Sequence, residues 1–194
     1  MQGIYRVDEF LTVLPKDSVV FMTTIRLTTW VNAPMERCFL LATNAEFYSS
    51  RNSAQSTPSN LQVGDTLHWR AWGWGIPLSL TSRIDSLRPF TYFCEVMIKG
   101  RFRSFQHEHH FAPMDDGTRM RDEVHYIASR GPLGKLIDHF VLRKCIMKML
   151  AERHLRLKRA AESSEWRTYL HPQEQERNAV VEHLPKVSKM QRFA

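Results

Sequence analysis

Within residues 101–126, RFRSFQHEHHFAPMDDGTRMRDEVHY, two histidines two positions apart, His107 and His109, precede an aspartate, Asp122, across a turn cluster at residues 113–117. Side chains alternate along a strand, so Phe105, His107, His109 and Phe111 share one face of a first strand. By the same rule Met120, Asp122, Val124 and Tyr126 share one face of a second. Asp and Gly suit the turn, and Pro113 ends the first strand's hydrogen-bonding run. The expected register sets Asp122 across from His107 or His109. A His–Asp pair fixes the imidazole tautomer and tunes a group that titrates near neutral pH, which is what general acid–base chemistry requires. His107, His109 and Asp122 are therefore the candidate catalytic residues. His-x-His on a strand also offers two imidazoles to a metal, with Asp122 as a third ligand. No third histidine stands at a telling spacing, and the framing residues are core-like. The expected role is hydrogen bonding within a buried site, with no metal and no cofactor. Glu108 and His110 fall on the other face, toward solvent.

Other clusters carry weaker chemistry. Trp69, Trp72 and Trp74 interleave with His68 and Arg70, a pattern that can stack single-stranded bases. In a curved sheet such rings more often pack, so Trp69 is expected in the core, Trp72 or Trp74 at a site's rim, and nucleic acid is not the expected partner. Gly131-Pro132-Leu133-Gly134 lacks the context of a phosphate loop, and no GxSxG or HExxH motif occurs. Cys38, Cys94 and Cys145 lie far apart in apolar runs, which reads as reduced core thiols in a reducing compartment.

The elements that must position these groups follow from pattern. Residues 23–31 (TTIRLTTWV) are β-branched and read as a strand. Asn32-Ala33-Pro34 then opens a helix through residue 43, and a second short helix is expected over 45–50. Residues 51–60 read as an exposed loop. Strands are expected over 65–72, 76–86 and 91–98, followed by the hairpin that carries the histidines. A long helix starts near Leu133 or Gly134, with an apolar stripe of Leu133, Ile137, Val141, Cys145 and Met149 widened by Leu136, Phe140, Ile146 and Leu150. One curled antiparallel sheet with a C-terminal helix across it fits this order better than βαβ units. Residues 1–22 are too apolar for a free tail and read as an added strand or helix. Residues 163–194 form a polar tail on which Trp166 and Tyr169 can still dock.

The chain has 194 residues, 43% of them hydrophobic, enough for one domain with a real core. No basic start followed by an apolar run marks a signal peptide, and no apolar stretch approaches a membrane span. A cytoplasmic protein is the default expectation. The formal charge is +7, and residues 133–162 hold eight Lys/Arg against three Asp/Glu. That basic face, with Arg143, Lys144, Lys148 and Arg156, can meet an anionic membrane or an acidic partner. The ordinary alternative is the solvated side of an amphipathic helix.

The order of elements is that of the helix-grip fold, an α+β architecture. Asn32-Ala33-Pro34, Val63-Gly64-Asp65, LTSRIDSLRPFTYF at 80–93, the hairpin itself and GPLGKLID after it resemble the START-like (SRPBCC) superfamily on its polyketide cyclase/dehydrase and coenzyme Q-binding side. The resemblance covers residues 23–162 as a ligand-binding domain, with 1–22 and 163–194 outside it. It implies a curved antiparallel sheet wrapped around a long C-terminal helix, with two short helices after the first strand. It also implies an apolar cavity between sheet and helix for a lipid, quinone or polyketide. Trp69, Leu78, Leu80, Phe105, Phe111, Met120, Val124, Tyr126, Phe140 and Val141 are the residues expected to line it. Carriage or sensing of such a ligand is the first functional expectation. A cyclase/aromatase-type enzyme using His107, His109 and Asp122 is the second, and an interaction protein using the basic helix face is the third.

Overall fold

A computed structural model describes residues 4–14, 18–49, 60–73, 76–128 and 141–170. Seven antiparallel strands form one sheet: β1 (Ile4–Leu14), β2 (Ser18–Val31), β3 (Thr66–Gly73), β4 (Ile76–Arg88), β5 (Tyr92–Gly100), β6 (Ser104–Met114) and β7 (Gly117–Ile127). Their spatial order is β1-β2-β7-β6-β5-β4-β3. Two short helices, α1 (Met35–Thr43) and α2 (Ala45–Ser49), follow β2, and α3 (Arg143–Glu162) packs on the same sheet. This is the expected helix-grip arrangement.

One feature differs from the pattern-based reading. The apolar N-terminal residues form an entire edge strand, β1, paired with β2 from Ile4↔Thr28 to Leu14↔Ser18. The strand expected at 23–31 consequently begins at Ser18, and the two short helices follow the second strand of the sheet. Arg26 joins the three neighbouring strands, donating to Asp8 on β1 at 2.6 Å and to Glu123 on β7 at 2.8 Å. The chain after Ser163 stays docked through Leu170, with Trp166 and Tyr169 in contact. The Tyr169 ring meets Phe47 edge-on at 5.0 Å, Arg37 lies 4.5 Å over Trp166, and Leu170 is buried. The expected start of the long helix at 133–140, Phe140 included, lies outside the described residues, as do Trp74 and the tail beyond 170.

Helix α1 begins after Pro34, whose missing N–H costs nothing at a helix start. Its buried face, Cys38, Phe39, Leu41 and Ala42, joins Phe93, Phe111, Met120 and the C-terminal part of α3 in one apolar block. A second block gathers Ile25, Leu27, Trp69, Leu80, Phe102, Phe105, Val124 and Tyr126 under Leu142, Ile146 and Leu150. The β4–β5 pairing shifts register at Thr81/Ser82 and again at Ile84/Ser86. Such irregularities bend and twist a sheet locally.

Three cations of α3, none of them fully exposed, reach carbonyls of neighbouring elements. Arg156 donates to the Phe47 carbonyl and lies 4.0 Å over the Phe47 ring. Arg153 donates to the Ala42 carbonyl and Lys158 to that of Trp30. These cations tie α1, α2 and the end of β2 to α3, and the Arg153 bond meets one of the carbonyls left open at the end of α1. Lys144 and Lys148 are exposed.

Candidate functional site

Between the two apolar blocks runs a belt of polar side chains, drawn from neighbouring strands at inward-facing positions. Thr29 sits between Leu27 and Val31 on β2, and Asp122 between Met120 and Val124 on β7. His107 and His109 sit between Phe105 and Phe111 on β6. Glu95 follows Phe93 by two on β5, and Ser82 separates Leu80 from Ile84 on β4. All of these are buried. Helix α3 lays His154 over the belt, between Leu150 and Leu157.

The contacts are continuous. In the β6–β7 register His109 stands opposite Asp122, as expected. Asp122 is the hub: His109 Nδ1 lies 3.0 Å from its Oδ1, and His107 Nε2 lies 3.1 Å from its Oδ2. His109 Nε2 reaches Glu95 Oε1 at 3.2 Å, and Ser82 donates to Glu95 Oε2 at 2.8 Å. The His154 Nδ1 edge meets the Thr29 hydroxyl at 2.9 Å, while its Nε2 stands 3.2 Å from Asp122 Oδ2 without a hydrogen bond. Arg153 brings a guanidinium nitrogen to 3.9 Å from Glu95 Oε1. The imidazoles of His107 and His109 lie 3.8 Å apart, and the Phe93 ring stacks on His109 at 4.0 Å. Side-chain exposure is 4% or less for Glu95, His107, His109, Asp122 and His154.

Burial pushes the Glu95 carboxyl up, but the hydrogen bond from His109 and the nearby His107, His109 and Arg153 outweigh it and bring it down to about 2. Asp122 is held well below the usual carboxylate range in the same way, burial being overcome by His109, His154 and His107. Burial and the neighbouring His109 bring His107 down to about 4, against the pull of Asp122 and Glu95. At neutral pH the belt thus holds two carboxylates and an uncharged His107. Such a layer is costly. Removing two carboxylates from water costs several kcal/mol each, and their contacts seldom return a net gain over an apolar core.

The expected residues sort cleanly. His107, His109 and Asp122 come together as one cluster. Trp69, Leu80, Phe105, Val124 and Tyr126 lie in the second apolar block, on one side of the belt. Phe111 and Met120 lie in the first, on the other side, so these seven residues do not form one continuous apolar wall. Val141 is buried near the start of α3. The side chains of Leu78 and Trp72 lie outside the described residues. Glu108 and His110 are only half-buried and pair with each other at 3.0 Å. Pattern reading missed Glu95, Ser82, Thr29 and His154. The signal for the three strand residues was present: each is a polar residue at the inward parity of a strand whose neighbours at that parity are apolar. The cysteines are free, with Cys38 and Cys94 buried and Cys145 half-buried.

Comparison with solved structures places the fold. The chain is similar to TTHA0849 of Thermus thermophilus, at 20% identity and a TM-score of 0.53, covering 72% of this chain and 94% of that one. It is also similar to a START superfamily protein from Mycobacterium smegmatis, at 13% identity and a TM-score of 0.52, covering 72% and 97%. A third likeness is to the Aha1 dimer from Colwellia psychrerythraea, at 15% identity and a TM-score of 0.51, covering 72% and 96%. No family model and no curated protein matches the sequence. The chain has the START-like, helix-grip fold. Among the described residues, no helix is long and apolar enough to cross a membrane.

Proposed function

We propose that this protein binds a hydrophobic small molecule, of the lipid, quinone or polyketide class, between the sheet and α3, as a carrier or sensor. The belt supports this reading. An apolar core has no need of five buried ionisable groups, and a few convergent polar groups against apolar walls are the usual form of a small-molecule site. In this reading the block around Trp69, Leu80, Phe105 and Tyr126 receives the apolar part of the ligand, and His107, His109 and Asp122 orient its polar end. Apolar burial at roughly 25 cal/mol per Å² supplies the affinity. The protein works in the cytoplasm, and the exposed Lys144 and Lys148 face the anionic surface from which a lipid is taken.

A second reading follows from His107. Asp122 holds one of its ring nitrogens and its low pKa keeps it uncharged, which suits a general base in a cyclase-type reaction. The two readings part experimentally. Gentle-ionisation mass spectrometry of the protein from its native host, with organic extraction of what co-purifies, is expected to return a stoichiometric apolar compound. Trp69 fluorescence should change when that compound is restored to the stripped protein. An empty protein that no apolar compound in a broad panel stabilises against heat would overturn the binding reading. Conversion of the recovered compound by the wild type but not by His107→Gln would establish the enzyme.

A further inference from the structure

The belt contains an arrangement that ligand binding alone does not require. His107 and His109 each direct one ring nitrogen at the same carboxylate, Asp122, through Nε2 and Nδ1 respectively. With a metal at the site both would donate there, which leaves lone pairs on His107 Nδ1 and on His109 Nε2, the atom that hydrogen-bonds Glu95 when no metal is held. Those two nitrogens converge on one atom, Glu95 Oε1, at 3.9 and 3.2 Å. The other oxygen of Glu95 is held by the Ser82 hydroxyl at 2.8 Å. One nitrogen from each histidine and one oxygen from Glu95 lie within 4.8 Å of one another.

We infer that Glu95, His107 and His109 form a mononuclear site for a divalent transition-metal ion, with Asp122 and Ser82 as the outer partners that aim its ligands. Metal–ligand bonds of about 2.0–2.2 Å at tetrahedral angles place ligand atoms roughly 3.3–3.6 Å apart, and a contraction of a few tenths of an ångström brings the His107–Glu95 contact into that range. A metal-bound histidine ordinarily donates its other N–H to a carboxylate or carbonyl, and here one carboxylate serves both rings. Two imidazoles and a carboxylate suit zinc, iron(II) or cobalt(II) and are poor ligands for magnesium or calcium. Three protein ligands leave a coordination position open for an oxygen atom of a bound molecule. Pattern reading gave the third ligand place to Asp122 and expected no metal. The fold puts Asp122 behind the histidines and Glu95 in front of them.

The test uses the full chain. Metal content is measured on the protein as purified, then after chelation and loading with cobalt(II) chloride, since ligands this deeply buried exchange slowly. One equivalent of cobalt should bind with intense visible absorption. The paramagnetically shifted proton spectrum should contain two exchangeable imidazole N–H signals, one from each histidine. Zinc should displace the cobalt. Ser82→Ala and Asp122→Asn should each weaken binding about 10- to 100-fold, and Glu95→Gln should weaken it further. If Glu95→Gln fails to fold, the wild-type cobalt spectrum decides alone. No stoichiometric uptake, a spectrum lacking the two N–H signals, or affinity unchanged in folded Glu95→Gln would overturn the site. None of these readouts depends on finding the apolar ligand.

Discussion

Asp122 is one side chain with three histidines around it, and removing its charge should be costly. Breaking a buried ionic network by changing one member typically destabilises by about 3–5 kcal/mol. Asp122→Asn is expected to fall in that range in chemical denaturation of the metal-free protein. His110→Ala, whose imidazole is half-exposed and meets Glu108 near the surface, should stay within about 0.5 kcal/mol of the wild type. Equal losses in the two variants would mean that the belt is not a network. The thiols offer a second test. Burial pushes Cys38 and Cys94 up to about 11, and raises Cys145 as well. A raised pKa leaves little thiolate below pH 9, and the thiolate is the reactive form. At pH 8 the folded protein should react slowly with a disulfide reagent, the half-buried Cys145 first, whereas the denatured chain should titrate all three quickly. Raising the pH to 9 should multiply the folded protein's rate by up to about tenfold and the denatured chain's by only about threefold, because unperturbed thiols are already partly ionised at pH 8.

At the scale of elements, the hairpin was legible because its period-two alternation, its turn residues and its paired His and Asp all favour one register. The polar belt was legible only in part. Thr29, Ser82 and Glu95 each interrupt an apolar inward set by a single residue, and any one of them alone looks like an ordinary imperfection. Their alignment across the sheet depends on strand registers, including the two shifts in β4–β5 that no local pattern encodes. His154 was hidden differently, on a helix stripe whose apolar members were easy to see. Arg156 departs from the expected solvated face for a physical reason. Arg and Lys carry long apolar stems and flexible heads, so sequence cannot tell a solvated face from one that clamps neighbouring carbonyls, as Arg156 does. The β6–β7 turn gives the test at this scale. A Cβ on Gly117 would collide with the backbone carbonyl of Val31 and stand 3.1 Å from Asn32 Cα. Gly117→Ala should therefore cost about 1–3 kcal/mol, read as a lowered denaturation midpoint, because backbone at the β2–α1 corner must shift.

For the whole molecule, β1 matters most. It covers the outer edge of β2, and Arg26 bridges it to β7 through Asp8 and Glu123. Deleting residues 1–14 would leave the long β2 edge unpaired, a template for pairing with another chain. The truncated protein is expected to self-associate with rising concentration in light scattering, while the full chain does not. A truncated protein that stays monomeric would show that the edge is protected by other means.

The neighbours of β2 also fix an order of events during synthesis. Its pairing with β1 is local and can form as soon as both leave the ribosome. Its other partner, β7, begins at Gly117, some 86 residues after β2 ends at Val31. At about 5–20 residues per second that interval lasts roughly 4–17 s, during which the inner edge of β2 and its half of the belt have no partner strand. The early β1–β2 hairpin leaves β2 with one open edge instead of two while it waits. Thr29 then meets water until β7 and finally α3 arrive, so the belt is completed last, when the β4–β7 meander and α3 close on β2.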